Sequence, residues 1–92
     1  MIPLHLQSTY SMLTCAFKHP LEQHTYEGVI RFLYYDMSDG CLAQVLSLMV
    51  DKEIAMIKND IARYYNADES HYLDVKEQLI SCGYDDWLNE DD

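Results

Sequence analysis

Cys15 and His19 are the two residues whose types and spacing come closest to a chemical site. They are four positions apart, so on a helix their side chains would lie on one face and could share a metal ion. A structural metal site needs three or four ligands, and the other histidines and cysteines offer no second pair at ligand spacing. We therefore predict no metal and no cofactor.

No catalytic signature stands out elsewhere. A cysteine nucleophile needs a base and an orienting group, and no local pattern links a histidine to any of the three cysteines. The chain has no glycine-rich phosphate loop, no His-Glu-x-x-His and no Gly-x-Ser-x-Gly. The run Asp85-Asp86-x-x-Asn89-Glu90 is rich in oxygen ligands but lacks the central glycine of a calcium-binding loop. We predict that the protein is not an enzyme and has no catalytic residues.

The negative charge of the chain is concentrated near its C-terminal end. Residues 68–92 hold nine carboxylates and one lysine, so they carry −8 of the net charge of −10. Three aromatic residues lie among these acids, and a dense acidic face with aromatic anchors is typical of a docking surface for a basic partner. The predicted partner-binding residues are Asp68, Glu69, Tyr72, Asp74, Glu77, Tyr84, Asp85, Asp86 and Trp87.

This acidic segment favours a binding protein that inhibits a basic nucleic-acid-acting protein. The target would be a nuclease, a restriction or CRISPR component, or another nucleic-acid-binding protein. Carboxylates would take the place of phosphates and meet lysine and arginine through charge-assisted hydrogen bonds. In size and composition the chain is similar to immunity proteins and DNA-mimic inhibitors, although no motif carries the similarity.

The alternative function is a small helical oligomerisation or adaptor module, in which the acids only keep the protein soluble. Its interface would be the apolar stripe between Leu46 and Tyr64. The adjacent tyrosines Tyr34-Tyr35 and Tyr64-Tyr65 are further contact candidates, because on a helix one of each pair can pack while the other points outward.

Length and composition bound the other possibilities. The 92 residues fit one domain spanning 1–92, and a homodimer would relieve the small core that such a chain can build. The net charge of −10 argues against direct binding to nucleic acid or to an anionic membrane. Three cysteines without paired spacing do not form a disulfide framework, and Met1 to Leu6 does not read as a signal peptide. We therefore expect a cytoplasmic protein.

The apolar spacing predicts an all-α domain of four to five helices. A first helical face carries Leu6, Tyr10, Leu13 and Phe17 and should end at Pro20. A second helix is predicted over about 21–37. Its β-branched and aromatic residues, together with Asp39-Gly40, leave an alternative, an α+β fold in which 29–36 pairs with 41–50 as a hairpin.

The third segment has the longest stripe. An unbroken helix from Gly40 to Tyr65 would be about 39 Å long, with Ser38 or Asp39 as its N-cap, although Asp51 could instead start a separate helix. The stripe residues recur at spacings of four and three positions and are Leu46, Val50, Ile54, Ile57, Ile61 and Tyr64.

The acidic segment itself is predicted to be helical. Asn66 to Glu69 resembles a capping box, and the helix after it should turn four residues inward, namely Tyr72, Val75, Leu79 and Cys82. Gly83 is placed to end that helix in the left-handed conformation, with Tyr84 packing back. Asp85 would then cap a final turn, and 89–92 would be a frayed tail.

Overall fold

The computed structural model describes residues 6–18 and 21–89, and within these ranges the fold contains only helices and their connections. Six α-helices follow one another in the described ranges, so the predicted all-α class is confirmed, and residues 29–36 and 41–50 do not form the alternative hairpin. Their bounds are α1 Gln7–Ala16, α2 Gln23–Leu33, α3 Asp39–Ser47, α4 Ile54–Tyr64, α5 Leu73–Ser81 and α6 Tyr84–Leu88. Two 3₁₀ turns, Tyr34–Asp36 and Glu69–Tyr72, precede α3 and α5.

The first two helices follow the predicted apolar faces. Leu13 of α1 is buried, as are Leu6 and Phe17, the residues that flank the helix, and Tyr10 packs half-buried against the core. On α2 the buried face is wider and includes Tyr26, Val29, Ile30, Phe32 and Leu33. Pro20, which we expected to end the first helix, lies outside the described residues.

The Asp39-Gly40 pair begins a helix rather than a hairpin turn. The Ser38 hydroxyl accepts a hydrogen bond from the backbone N–H of Cys41 at 3.1 Å, which is the N-cap arrangement. Ser38 is thus the cap, one of the two residues predicted for that role. The all-round apolar character of α3 is explained by its position, since Leu42, Ala43, Val45 and Leu46 are all buried.

Of the two possibilities for Gly40 to Tyr65, the structure has the separate helices and not the unbroken one. Helix α3 ends at Ser47, and α4 begins at Ile54, three residues after the predicted start at Asp51. The backbone N–H of Met49 bonds to the carbonyl of Leu46 at 2.9 Å, and the carbonyl of Met49 accepts from Leu21 N–H at 3.1 Å. These bonds fold the connection onto the start of α2 and bury the Met49 side chain completely. The stripe was therefore divided between two helices that pack against each other.

Helix α2 lies at the centre of the fold, in contact with α4, α5 and the turn Glu69–Tyr72. Gly28 permits the approach of α5, because a Cβ at this position would lie 2.8–2.9 Å from three carbons of the Val75 side chain. The glycine that lowers the helix propensity of α2 is thus required by packing.

The C-terminal helices confirm some of the predicted details and correct others. Asp68, not Asn66, accepts the capping bond, from the N–H of Ser70 at 3.0 Å. Gly83 has φ 95°, the predicted left-handed conformation, and Tyr84 packs back into the core. Gly83 also precedes α6 directly, so Asp85 lies in the first turn of that helix instead of capping it.

Cys15 and Cys82 form a disulfide between the end of α1 and the residue after α5, with Cα atoms 5.8 Å apart. We expected the three cysteines to form no disulfide framework, and this bond corrects that expectation. Only Cys41, which is half-buried, remains free among the described cysteines. Sequence spacing could not show the pair because 67 positions separate the two residues. The bond also removes the cysteine argument for a reducing compartment.

None of the described helices is both long enough and apolar enough to cross a bilayer.

Candidate functional site

The predicted docking residues lie on an ordered part of the fold. Residues 68–89 form the turn Glu69–Tyr72, α5, α6 and their connections. The acids Glu90, Asp91 and Asp92 lie outside the described residues.

Three of the predicted acids are bonded within the chain. Asp68 accepts hydrogen bonds from the backbone and hydroxyl of Ser70 at 3.0 and 2.9 Å, and these bonds lower its pKa. Glu69 pairs with Arg31 at 3.5 Å and with Lys76 at 3.3 Å. These two carboxylates hold the Glu69–Tyr72 turn and fasten it to α2 and α5.

Asp74 is the third bonded acid. The His24 ring lies 3.0 and 3.1 Å from its two carboxylate oxygens, and this hydrogen bond lowers the pKa of Asp74. His24 also packs on the Tyr72 ring, with 5.1 Å between ring centroids. Asp74 therefore joins the start of α5 to the start of α2, and its charge is partly met from inside the molecule.

The other three acids carry uncompensated charge. Glu77, Asp85 and Asp86 are exposed, and their carboxylates have no hydrogen-bond or ion-pair partner in the part of the chain that the structure describes. They lie on α5 and α6, which pack against each other. We call Glu77, Asp85 and Asp86 the free acids.

The predicted aromatic anchors are used mainly inside the fold. Tyr72 and Tyr84 are each only 7% exposed. The Tyr72 hydroxyl donates to Glu27 at 2.7 Å, and burial together with this bond raises the Tyr72 pKa to about 12. Their rings offer almost no surface to a partner. The expectation that they fill pockets in a target does not fit this burial.

Trp87, the third predicted anchor, is half-buried. Its indole N–H donates to the Thr9 hydroxyl at 2.8 Å, and its ring stacks on Tyr84 at 6.0 Å. Trp87 thus fastens α6 to α1, and only part of its ring faces solvent.

Tyr35 is the exposed aromatic residue that the sequence-based site did not include. It is 67% exposed, it contacts Tyr34 edge to face at 5.3 Å, and the Arg31 guanidinium carbon lies 5.7 Å from its ring centroid. The adjacent tyrosines supplied a weak signal, since one of the pair was expected to point outward. The sequence could not show which one, or what lies beside it.

Arg31 links Tyr35 to the start of the acidic segment, because its guanidinium lies beside the Tyr35 ring and also contacts Glu69. Arg31 donates from Nε to the carbonyl of Ala67 at 2.6 Å and pairs with Glu69, so it bridges α2 to the start of the segment. On α6, the Tyr84 hydroxyl donates to the carbonyl of Phe32 at 3.1 Å, one turn before Asp36. The end of α2 is therefore held between residues 67–69 and α6.

The charges that act on the Tyr84 hydroxyl are consistent with this position of α2 beside residues 67–69 and α6. Burial raises the Tyr84 pKa, and the negative charges of Asp36, Glu69 and Asp85 raise it further while Arg31 acts in the opposite direction. Carboxylates from three separate parts of the chain thus act on one hydroxyl. We call Tyr35, Asp36, Glu69 and Asp85 the Tyr35 patch.

A second set of buried polar contacts is structural. The Tyr26 hydroxyl and the Lys52 ammonium both donate to Asp60, at 2.7 and 3.0 Å. Burial by itself would raise the Asp60 pKa, but these bonds and the charges of Lys52 and Arg63 lower it overall. The network ties α2 to α4 and to the connection before α4.

An open groove of about 460 Å³ lies where α1, α2 and α5 meet, and Lys18, Glu22, His24 and Asp74 contribute to its walls. A histidine oriented by a carboxylate can serve as a general base. However, no hydroxyl or thiol of residues 6–18 and 21–89 is hydrogen-bonded to the His24 ring.

No described residues form a metal centre, since no three His, Cys, Asp or Glu side chains of the described ranges are grouped as ligands. The Cys15 sulfur is bonded to Cys82, and His19, its possible co-ligand, lies outside those ranges.

Comparison with protein families, with curated proteins and with solved structures found no match to this chain.

Proposed function

We propose that this chain is a non-catalytic binding protein whose acidic C-terminal helices dock onto a basic partner, a nuclease or another nucleic-acid-binding protein that it inhibits. The observation that carries the proposal is the state of the free acids. Glu77, Asp85 and Asp86 are exposed on helices and have no cationic partner within the described chain.

The cost of leaving these charges unpaired supports a role in recognition. Asp85 and Asp86 are adjacent in the first turn of α6, and the chain already carries −10. Self-repulsion of this kind destabilises a compact state. A basic partner relieves the repulsion through charge-assisted hydrogen bonds and gains association rate from the complementary field.

The Tyr35 patch supplies the apolar contact that the acids lack. Tyrosine is enriched among the residues that dominate interface energies. Tyr35 precedes Asp36 in the chain, and its ring lies beside Arg31, which pairs with Glu69. An exposed tyrosine flanked by carboxylates fits a protein surface rich in arginine, because arginine pairs with carboxylates and also stacks on aromatic rings. Nucleic-acid-binding grooves are such surfaces.

Most of the interface that an oligomerisation module would use is buried inside the single chain. Leu46, Ile57 and Ile61 are between 0 and 2% exposed in the single chain, so the stripe that would join two copies already forms the core. Of the stripe residues, Ile54 alone has a large exposed side chain, at 43%.

Affinity purification with matched charge variants tests the proposal. Asp85→Asn with Asp86→Asn removes two of the free acids, whereas Asp51→Asn with Glu53→Gln removes the same charge from the exposed connection between α3 and α4. We expect the wild type and the 51/53 variant to retain a basic nucleic-acid-acting protein. The 85/86 variant should fail to retain this partner, and about 0.5 M salt should release the partner from the wild type.

The recovered partner is then assayed for nuclease activity or nucleic-acid binding, with each form of the chain added. Inhibition by the wild type and the 51/53 variant, but not by the 85/86 variant, is the expected result. Equal binding by the two double variants would refute the assignment of the surface. A partner whose nucleic-acid activity is unaffected would refute the inhibitory role.

A further inference from the structure

Helix α5 has apolar residues on its outer face as well as its inner one. Val75 and Leu79 point into the core, whereas Leu73 and Ile80 are 53% and 45% exposed. The latter two are seven positions apart, which is two helical turns or about 10.5 Å along one side of the helix. Exposed apolar residues that stand singly are ordinary, but these two share a face.

Glu77 lies between Leu73 and Ile80 on that face and is one of the free acids. The charged residues on either side of it are already engaged, Asp74 with His24 at 3.0 Å and Lys76 with Glu69 at 3.3 Å. We call Leu73, Glu77 and Ile80 the α5 stripe. It consists of two apolar contacts with one unpaired negative charge between them.

A second copy of the chain is a poor occupant for this stripe. Symmetric dimers use the same patch on both subunits, and Glu77 lies near the midpoint of the stripe. A two-fold pairing of α5 with its copy would therefore bring two Glu77 carboxylates together. It would also join two molecules that each carry −10, and like charges opposed across an interface are costly.

We propose that the α5 stripe seats an amphipathic basic helix of the partner protein. This deepens the proposed function and rests on it. The seated helix carries two apolar residues seven positions apart, which cover Leu73 and Ile80, with an arginine or lysine between them that pairs with Glu77. Two helices packed side by side are 8–10 Å apart, and their equal rise per residue lets contacts spaced seven apart stay in register.

A synthetic peptide of about 18 residues tests this seat directly, being long enough to form a helix. It carries leucines seven positions apart with an arginine midway, and the control peptide has glutamate in place of that arginine. Each is titrated into the uniformly ¹⁵N-labelled full chain. We expect the arginine peptide to shift the amide signals of residues 73–81, and the glutamate peptide to bind at least about tenfold more weakly.

Variants locate the seat. The double variant Leu73→Ala with Ile80→Ala should weaken binding of the arginine peptide about tenfold. At low salt, Glu77→Lys should weaken binding of the same peptide by a similar factor. The matched control is Ile54→Ala with Met56→Ala on α4, which removes apolar side chains of comparable exposure, 43% and 53%. This control should bind as the wild type does.

The contrary outcomes are distinct from one another. If the arginine peptide binds but only Asp85→Asn with Asp86→Asn weakens it, the seat on α5 is wrong and the proposed function stands. If neither peptide binds at low salt, the stripe is not a seat for a basic helix; the purification described above then judges the proposed function separately. A salt-insensitive dimer abolished by Leu73→Ala would show that a second copy occupies the stripe.

Discussion

The disulfide between Cys15 and Cys82 fixes the end of α1 to the junction of α5 and α6, across 67 positions of sequence. The hydrogen bond from Trp87 to Thr9 makes a second connection between α6 and α1. Both connections hold the helix that carries Asp85 and Asp86, so the orientation of these free acids depends on them.

The disulfide should be a major contributor to stability. Closing a loop of this length restricts the unfolded chain and is worth about 4 kcal/mol in the chain-entropy description. We expect Cys15→Ser with Cys82→Ser to lower the free energy of unfolding by about that amount, measured by urea denaturation. Cys41→Ser, which removes a free thiol, should cost about 1 kcal/mol or less. A double variant as stable as the wild type would contradict this role.

Two glycine substitutions should have opposite effects on stability. Gly28→Ala places a Cβ 2.8–2.9 Å from the stiff side chain of Val75, so we expect a loss of about 1–3 kcal/mol despite the better helix propensity. Gly40→Ala meets open space in α3 and should stabilise by up to about 1 kcal/mol. Thermal unfolding of both variants measures the contrast, and a Gly28→Ala variant more stable than the wild type would show that α2 and α5 are not in close contact.

Asp60 should make stability depend on pH in a defined direction. The pKa of Asp60 in the folded chain lies below its ordinary value of 3.8. The ionised carboxylate therefore contributes its full share of the folding stability above pH 3.8, and this share is lost as the pH falls through the lowered pKa. We expect Asp60→Asn to cost about 1–3 kcal/mol at pH 7. The difference in free energy of unfolding between this variant and the wild type should become smaller below about pH 4.

Urea unfolding of both proteins between pH 7 and pH 3 gives this difference directly. Taking the difference cancels the general effect of protonating the other carboxylates, which both proteins share. A gap that is constant over the whole range would mean that Asp60 is not held ionised by Tyr26 and Lys52.

Thr9 should report on the attachment of α6. It is buried, with 3% of its surface exposed, so it cannot touch a partner, but its hydroxyl accepts the hydrogen bond of Trp87. Thr9→Val keeps the shape and removes the acceptor, at an expected cost of about 1 kcal/mol. Trp87 is the only tryptophan, so a red shift of its emission would show the loosening. An unchanged spectrum would argue against the contact.

Tyr35 and Tyr84 should separate binding from folding. Tyr35→Ala removes an exposed ring and is expected to change stability by about 0.5 kcal/mol or less while weakening capture of the partner. Tyr84→Phe removes the buried bond to Phe32, at about 1 kcal/mol, and should leave capture intact. Stability is measured by calorimetric unfolding and capture of the partner by affinity purification, on both variants. If Tyr35→Ala captured the partner normally while Tyr84→Phe did not, Tyr35 would not be part of the docking surface.

Much of the fold could be predicted because the relevant signals are local. The periodic apolar residues predicted the buried faces of α1 and α2, Ser38 was one of two expected caps, and Gly83 adopts the left-handed conformation expected of a residue that ends a helix. These features depend on residues within one or two turns of each other. Helix faces, caps and stops follow from such short-range chemistry.

The sequence left the break between α3 and α4 undecided, since it allowed both an unbroken helix and a separate helix from Asp51. The apolar stripe runs through it without interruption, whereas in the structure Met49 is buried and its carbonyl accepts a hydrogen bond from Leu21, a distant part of the sequence. A periodic pattern shows which residues are to be buried, but it does not show which other element will bury them.

The sequence by itself determined the concentration of negative charge in residues 68–92, and it favoured the all-α class over the hairpin alternative. Only the tertiary structure decided which acids are free, because Arg31, Lys76 and His24 reach particular carboxylates across the fold. It also paired Cys15 with Cys82 and placed Arg31 between Tyr35 and Glu69. Charge is a property of composition, whereas its neutralisation depends on distances of a few ångströms that are set when the helices pack.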